Sequence, residues 1–199
     1  KNYGNYKKEV WDENILSKRI IAWISNADLF LDKKEDKFHK FFTMYLVKQV
    51  NFLKKNLNII SYDTTRISCL ASIILSGLVF KEYYINYNFG IKELKKIIDS
   101  FFDKNGFPKN RNAENLIFFL QYFIIIKEWI QNAQEVVPEY LNDIIDKNLI
   151  CLNSLKNESK NLPLFNGTTE KNLESFLIYL SKLNYVLDKK LKFFGQIQI

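Results

Sequence analysis

The sequence predicts an all-α fold built from antiparallel helical hairpins, and three observations carry that expectation. Apolar residues recur at helical spacing along most of the 199 residues, and almost no stretch alternates in the two-residue rhythm of a half-buried strand. Capping residues, Asn-Gly pairs and prolines cut this pattern into about seven helical segments. The connections between segments are short, so sequence neighbours fold back on one another.

The first segment starts after Asp12, an N-cap residue, and carries Ile15, Leu16, Arg19, Ile20 and Trp23 on one stripe before Asn26 and Asp28 loosen it. The second runs from Lys37 to about Leu57, with Phe38, Phe41, Phe42, Tyr45, Leu46, Gln49, Phe52 and Leu53 repeating at helical intervals. The third opens near Asp63 or Thr64 and continues to about Tyr84; it is apolar nearly all round, which predicts an interior helix. The fourth is expected from Gly90 to Phe102, closed by Asp103-Lys104-Asn105-Gly106-Phe107-Pro108. A fifth opens at Asn110 to Asn112 and extends to about Asn132. Pro138 suits the first position of a sixth, which runs to about Leu155. A seventh follows Thr168 or Thr169 and spans Glu170 to Leu183. Alternation of more polar with more apolar helices suggests two concentric layers, an α/α toroid or a solenoid, although no repeat recurs at a fixed period.

Composition narrows the setting. With 47% hydrophobic residues the chain has material for one sizeable core, so a single domain over residues 1–199 is expected. Its first residue is Lys1 and its last is Ile199, which reads as a piece of a longer protein. The longest apolar stretches, Ile67 to Phe80 and Leu116 to Ile126, fall short of the ~20 residues of a membrane-spanning helix, so the expectation is a soluble chain. Net charge is +7, and among 29 Lys and Arg residues only Arg19, Arg66 and Arg111 are arginine. Either a solvated lysine surface or a polyanion partner accounts for that balance. Lysines scattered over every helix argue against nucleic acid, which asks for charge gathered on one face. Cys69 and Cys151 lie far apart in apolar segments, as two buried thiols would, and no spacing suggests a disulfide framework or a zinc site.

Few residues can carry chemistry. His39 is the one histidine, it sits among lysines on a surface-like helix, and HExxH, GxGxxG and P-loop motifs are absent. No metal and no cofactor is therefore expected. The segment Asn105 to Glu114 is more telling, because it packs Lys109, Arg111 and the amides of Asn110 and Asn112 where a loop becomes a helix. Free backbone N–H groups there, with the guanidinium and the amides, would make an anion site suited to a carboxylate or sulfate; the plainer alternative has Asn110 and Asn112 as helix caps. A second polar turn, Leu162 to Thr169, offers Asn166 and Thr168. One helix pair separates the two loops, which in a layered array puts them on a common rim.

Four stretches resemble the helical N-terminal domain of heparinase II/III-like polysaccharide lyases. Arg19-Ile20-Ile21-Ala22-Trp23-Ile24 looks like that family's early Arg-hydrophobic-x-x-Trp helix, and Arg66-Ile67 through Gly77-Leu78 like its small-residue-rich inner helix. Asn105-Gly106 through Arg111-Asn112 is similar to Asp-Gly-Gly-His followed by Ser-Arg-Asn-Pro, and Leu164-Phe165-Asn166-Gly167 to a Leu-Phe-Asn-Gly turn. The resemblance implies a bacterial enzyme, of a family that favours the periplasm. It also implies an α/α toroid joined to a C-terminal β-sandwich domain absent from these residues, with an acidic polysaccharide bound between them.

Such lyases cleave by β-elimination, in which an Asn or His neutralises the uronate carboxylate and a Tyr or His removes the acidified C5 proton. Carried over by position, Asn112 is the candidate for carboxylate neutralisation. Arg111, Asn110, Asn166, Thr168 and Trp23 are the candidates for substrate binding. The alternative is a non-catalytic helical module that binds a glycan or protein on its concave face.

Overall fold

A computed structural model describes residues 9–31, 36–60, 64–156, 160–169 and 172–191. They form α1 (Glu13–Ser25), α2 (Asp28–Leu31), α3 (Asp36–Asn56), α4 (Thr64–Val79), a 3-10 turn (Lys81–Tyr83), α5 (Tyr84–Phe101), α6 (Ala113–Asn132), α7 (Glu139–Leu155) and α8 (Glu174–Lys182). Among the described residues there is no strand, only the isolated bridges Phe102–Pro108 and Asn161–Asn172. The all-α fold class expected from the sequence, helical hairpins of the α/α toroid kind, is the one found.

Most boundaries follow local chemistry. Asp12 caps α1 through Oδ1, which accepts from Ile15 N–H at 3.1 Å. Pro138 stands just outside α7 as its N-cap rather than as its first residue, with φ −60° and ψ 135°. Four boundaries differ from the sequence expectation. The short α2 forms after Asn26, where only a loosened end was expected. The interior helix ends at Val79, because Phe80 is extended, and α5 begins at Tyr84 instead of Gly90. Gly90 is thus a mid-helix residue: a Cβ there would sit 2.4 Å from Ile74 Cγ1, and one on Gly77 would sit 2.2 Å from the Tyr87 nitrogen. Both glycines serve close approach of α4 and α5, not termination. The last helix starts at Glu174, whose N–H donates to Asn172 Oδ1 at 2.7 Å; Glu170 and Lys171, placed in it by the sequence pattern, lie outside the described residues.

The chain divides into two compact units, Lys1–Ile97 with Ile125–Val136, and Ile98–Ile124 with Val137–Ile199. In the first, α1 and α3 pack on α4, which is buried from Arg66 through Gly77. Its serines survive that burial by back-bonding: Ser68, Ser72 and Ser76 hydroxyls donate to the carbonyls of Thr65, Cys69 and Ile73 at 2.8, 2.7 and 2.7 Å. Arg66 and Glu93 are buried together, Nη2 to Oε2 3.7 Å, and Lys96 reaches Glu93 from the surface.

In the second unit Phe101 and Phe102 of the α5 end meet Phe119 and Phe123 of α6, with ring centres 4.5 to 5.7 Å apart. Leu141, Ile145, Leu149 and Leu152 of α7 and Phe176 and Leu180 of α8 are also buried. This core fixes the two ends from which the polar loops of the unit spring.

Candidate functional site

The loop between α5 and α6 is built around Asp103. Its Oδ1 accepts from the N–H groups of Asn105 and Phe107 at 2.9 and 3.0 Å, while its own N–H donates to the Phe107 carbonyl and its carbonyl accepts from Gly106. That turn needs Gly106, at φ +80°, and its backbone presses so closely on α7 that a Cβ would lie 2.4 Å from Lys147 Cβ. Asn148, fully buried, donates Nδ2 to the Gly106 carbonyl at 2.5 Å, and the Cys151 thiol donates to the Asn105 carbonyl at 3.2 Å. Burial above all, and the nearby Asp103 charge, push that thiol up to about 12, so it stays protonated and inert.

Beyond the turn, Lys109 Nζ donates to the carbonyls of Asp99 and Ser100 at the C-terminal end of α5. Arg111 takes the left-handed conformation, φ +58°, and its Nη1 lies 2.8 Å from Asp103 Oδ2. The guanidinium carbon stands 5.5 Å from the Phe107 ring centre. Asn110 Oδ1 accepts from Asn112 N–H at 3.1 Å, an Asx turn, and Asn112 Oδ1 accepts from Asn115 N–H at 2.9 Å, which caps α6.

The second loop meets the first directly. Asn112 Nδ2 donates to the Asn166 carbonyl at 2.9 Å, and Asn166 Nδ2 donates to the Arg111 carbonyl at 3.3 Å. Thr168 Oγ1 accepts from Ala113 N–H at 3.2 Å, and Glu114 Oε1 accepts from both the N–H and the hydroxyl of Thr169. Asn166 and Gly167 provide consecutive positive φ values of 49° and 78° that turn the chain there.

The structure therefore brings Asn110, Arg111, Asn112, Asn166 and Thr168 into one cluster within the second unit. It corrects the anion site drawn from free helix N–H groups: Ala113 and Asn115 N–H already donate to Thr168 and Asn112, and the α6 first turn carries the carboxylate of Glu114. What is left for a ligand is the outward part of Arg111, 53% exposed, and the polar tips around it. Trp23 belongs to the first unit, where its ring lies 5.8 Å from Phe42 and 5.7 Å from the Arg19 guanidinium.

Sequence reasoning missed Asp103, Glu114 and Asn148. Asp103 alone left a local signal, the Asp-x-Asn-Gly spacing of a side-chain-stabilised turn. Elsewhere, loss of hydration first and the Glu135 carboxylate second raise the Tyr84 phenol, and burial raises Tyr87 beside it. Among the described residues no three His, Cys, Asp or Glu side chains gather to hold a metal, and no helix is long and apolar enough to cross a membrane.

The helical architecture defines the fold class: an all-α fold of the kind found in polysaccharide lyases. The particular likeness is to the crystal structure of heparan sulfate lyase HepC from Pedobacter heparinus, with a TM-score of 0.73 and 15% sequence identity over 89% of this chain and 29% of that one. At that identity the likeness establishes the fold, and the chain spans 29% of the length of the solved protein. No protein-family model matches the sequence, and no curated protein matches it.

Proposed function

We propose that this chain is the helical, substrate-binding part of a polysaccharide lyase that cleaves uronic-acid glycans by β-elimination, joined in the full protein to a β-sandwich domain. The observation that carries the reading is the meeting of the two loops at Asn112 and Asn166, on a fold shared with a heparan sulfate lyase. In this reading Arg111 binds a uronate carboxylate through the donors that Asp103 leaves over. Asn112 neutralises the carboxylate being activated, and Asn110, Asn166 and Thr168 contact the sugar chain. Trp23 is a further sugar contact by resemblance. Acidic polysaccharide is the partner, and no cofactor is invoked.

Full-length protein mixed with a panel of acidic polysaccharides should generate the absorbance of unsaturated uronate. No rise with any member of the panel removes the lyase reading.

A second reading is favoured by one specific feature. Both ends of the Asn112 amide are engaged, Oδ1 on the α6 cap and Nδ2 on the Asn166 carbonyl. A helical module that binds acidic glycan without cleaving it fits that arrangement, and predicts retention of the polysaccharide with no new absorbance.

A further inference from the structure

The loop that carries Arg111 also carries the carboxylate that pins it. Asp103 lies eight residues earlier, at the foot of α5, with its side chain 20% exposed. Oδ1 is held by the N–H groups of Asn105 and Phe107, so the carboxylate is oriented by the loop backbone before it meets a side chain. Oδ2 then accepts from Arg111 Nη1 at 2.8 Å. The guanidinium carbon also stands 5.5 Å from the ring centre of Phe107, a residue 2% exposed in the core. One of five N–H donors is thus spent on Asp103, with Phe107 alongside, and the side chain remains 53% exposed.

An arginine at an exposed tip ordinarily surrenders much rotamer freedom when it clasps a ligand. Here that freedom is already restricted by Asp103 and Phe107. The negative charge of Asp103 opposes an anionic ligand, but it is shared with two backbone N–H groups and Arg111, and Lys104, Lys109 and Arg111 outnumber it in the loop. We infer that Asp103 is a positioning residue, which holds the Arg111 guanidinium ready for two-point contact with a sugar carboxylate. The inference rests on the acidic-glycan reading of the site.

Its test is the affinity of full-length protein for a uronate oligosaccharide and for the same chain with its carboxyls reduced to alcohols. Asp103→Asn keeps an acceptor for the Asn105 and Phe107 N–H groups while removing the ion pair. It should weaken binding of the acidic chain roughly tenfold, the scale of one charged hydrogen bond, and leave the reduced chain unaffected. Added to Arg111→Gln, the same change should have no further effect. Equal loss on both chains, unchanged discrimination, or tighter binding of the acidic chain by Asp103→Asn overturns the positioning role alone. Wild-type protein that does not prefer the acidic chain overturns the acidic-glycan reading as well.

Discussion

Asn112 ties together two loops 54 residues apart in sequence: its amide nitrogen donates to the Asn166 carbonyl at 2.9 Å while its amide oxygen caps α6 at Asn115. One side chain thereby sets both the start of a helix and the distance between two polar tips. Consequences for stability and binding follow from that double engagement.

Asn112→Ala removes both contacts and should destabilise the protein by about 1–3 kcal/mol, a cap plus one neutral hydrogen bond. Asn112→Asp retains the cap but turns a carboxylate oxygen toward the Asn166 carbonyl, so it should lose the loop tie while α6 keeps its start. Urea unfolding of both variants checks this; an alanine variant as stable as wild type would show the contacts to be dispensable.

Gly106 and Gly167, both at positive φ, should differ in their tolerance of a side chain. Gly106→Ala combines an unfavourable φ with a Cβ placed 2.4 Å from Lys147 Cβ, whereas a Cβ on Gly167 would be 3.6 Å from Asn112 Nδ2, an ordinary contact. Gly167→Ala should cost about 1–2 kcal/mol for the backbone alone, and Gly106→Ala clearly more. Thermal melts that rank them in the opposite order would contradict the packing of this loop on α7.

Truncating one partner of the buried Arg66–Glu93 pair leaves a charge in the core beside α4. Glu93→Ala should lower stability by about 3–5 kcal/mol. Lys96, on the surface, should matter far less, because exposed pairs contribute about 0–1 kcal/mol. Denaturant midpoints for Glu93→Ala and Lys96→Ala would test the difference.

Cys151 gives a pH signature. Its folded pKa of about 12 lies above the ordinary 9.0, so the unfolded chain releases the thiol proton first as pH rises. The stability held below pH 9 should therefore fall between pH 9 and 12, and Cys151→Ser should flatten part of that decline. Below pH 9 the native thiol should resist alkylation that modifies it readily in urea; rapid native labelling would contradict its burial.

How legible this molecule is in its sequence depends on range. Asp12 and the apolar stripes of α1, α3, α6 and α7 act through neighbours three or four residues away, and their helices lie where the pattern puts them. Gly90 stands where the local pattern starts a helix, since a glycine's local meaning is a break. Its actual use, contact with Ile74, depends on a second helix. The same limit applies at the site. Asn110 and Asn112 announce a capped helix start, but the Asn112–Asn166 and Glu114–Thr169 contacts join the start of α6 to a loop more than fifty residues later, and the Arg111–Asp103 pair forms on a left-handed backbone at Arg111. Of the α6 N–H groups that the local pattern offers to an anion, Ala113 N–H is filled by Thr168 from a later loop and Asn115 N–H by the Asn112 cap.

The most direct measurement is nuclear magnetic resonance of the full-length protein labelled with nitrogen-15 in its asparagines, titrated with an acidic oligosaccharide. Saturable shifts are expected, concentrated at the amides of Asn110, Asn112 and Asn166, and lost on adding the carboxyl-reduced chain instead. Binding that leaves those three resonances in place, or shifts that are the same with both chains, would contradict the acidic-glycan reading.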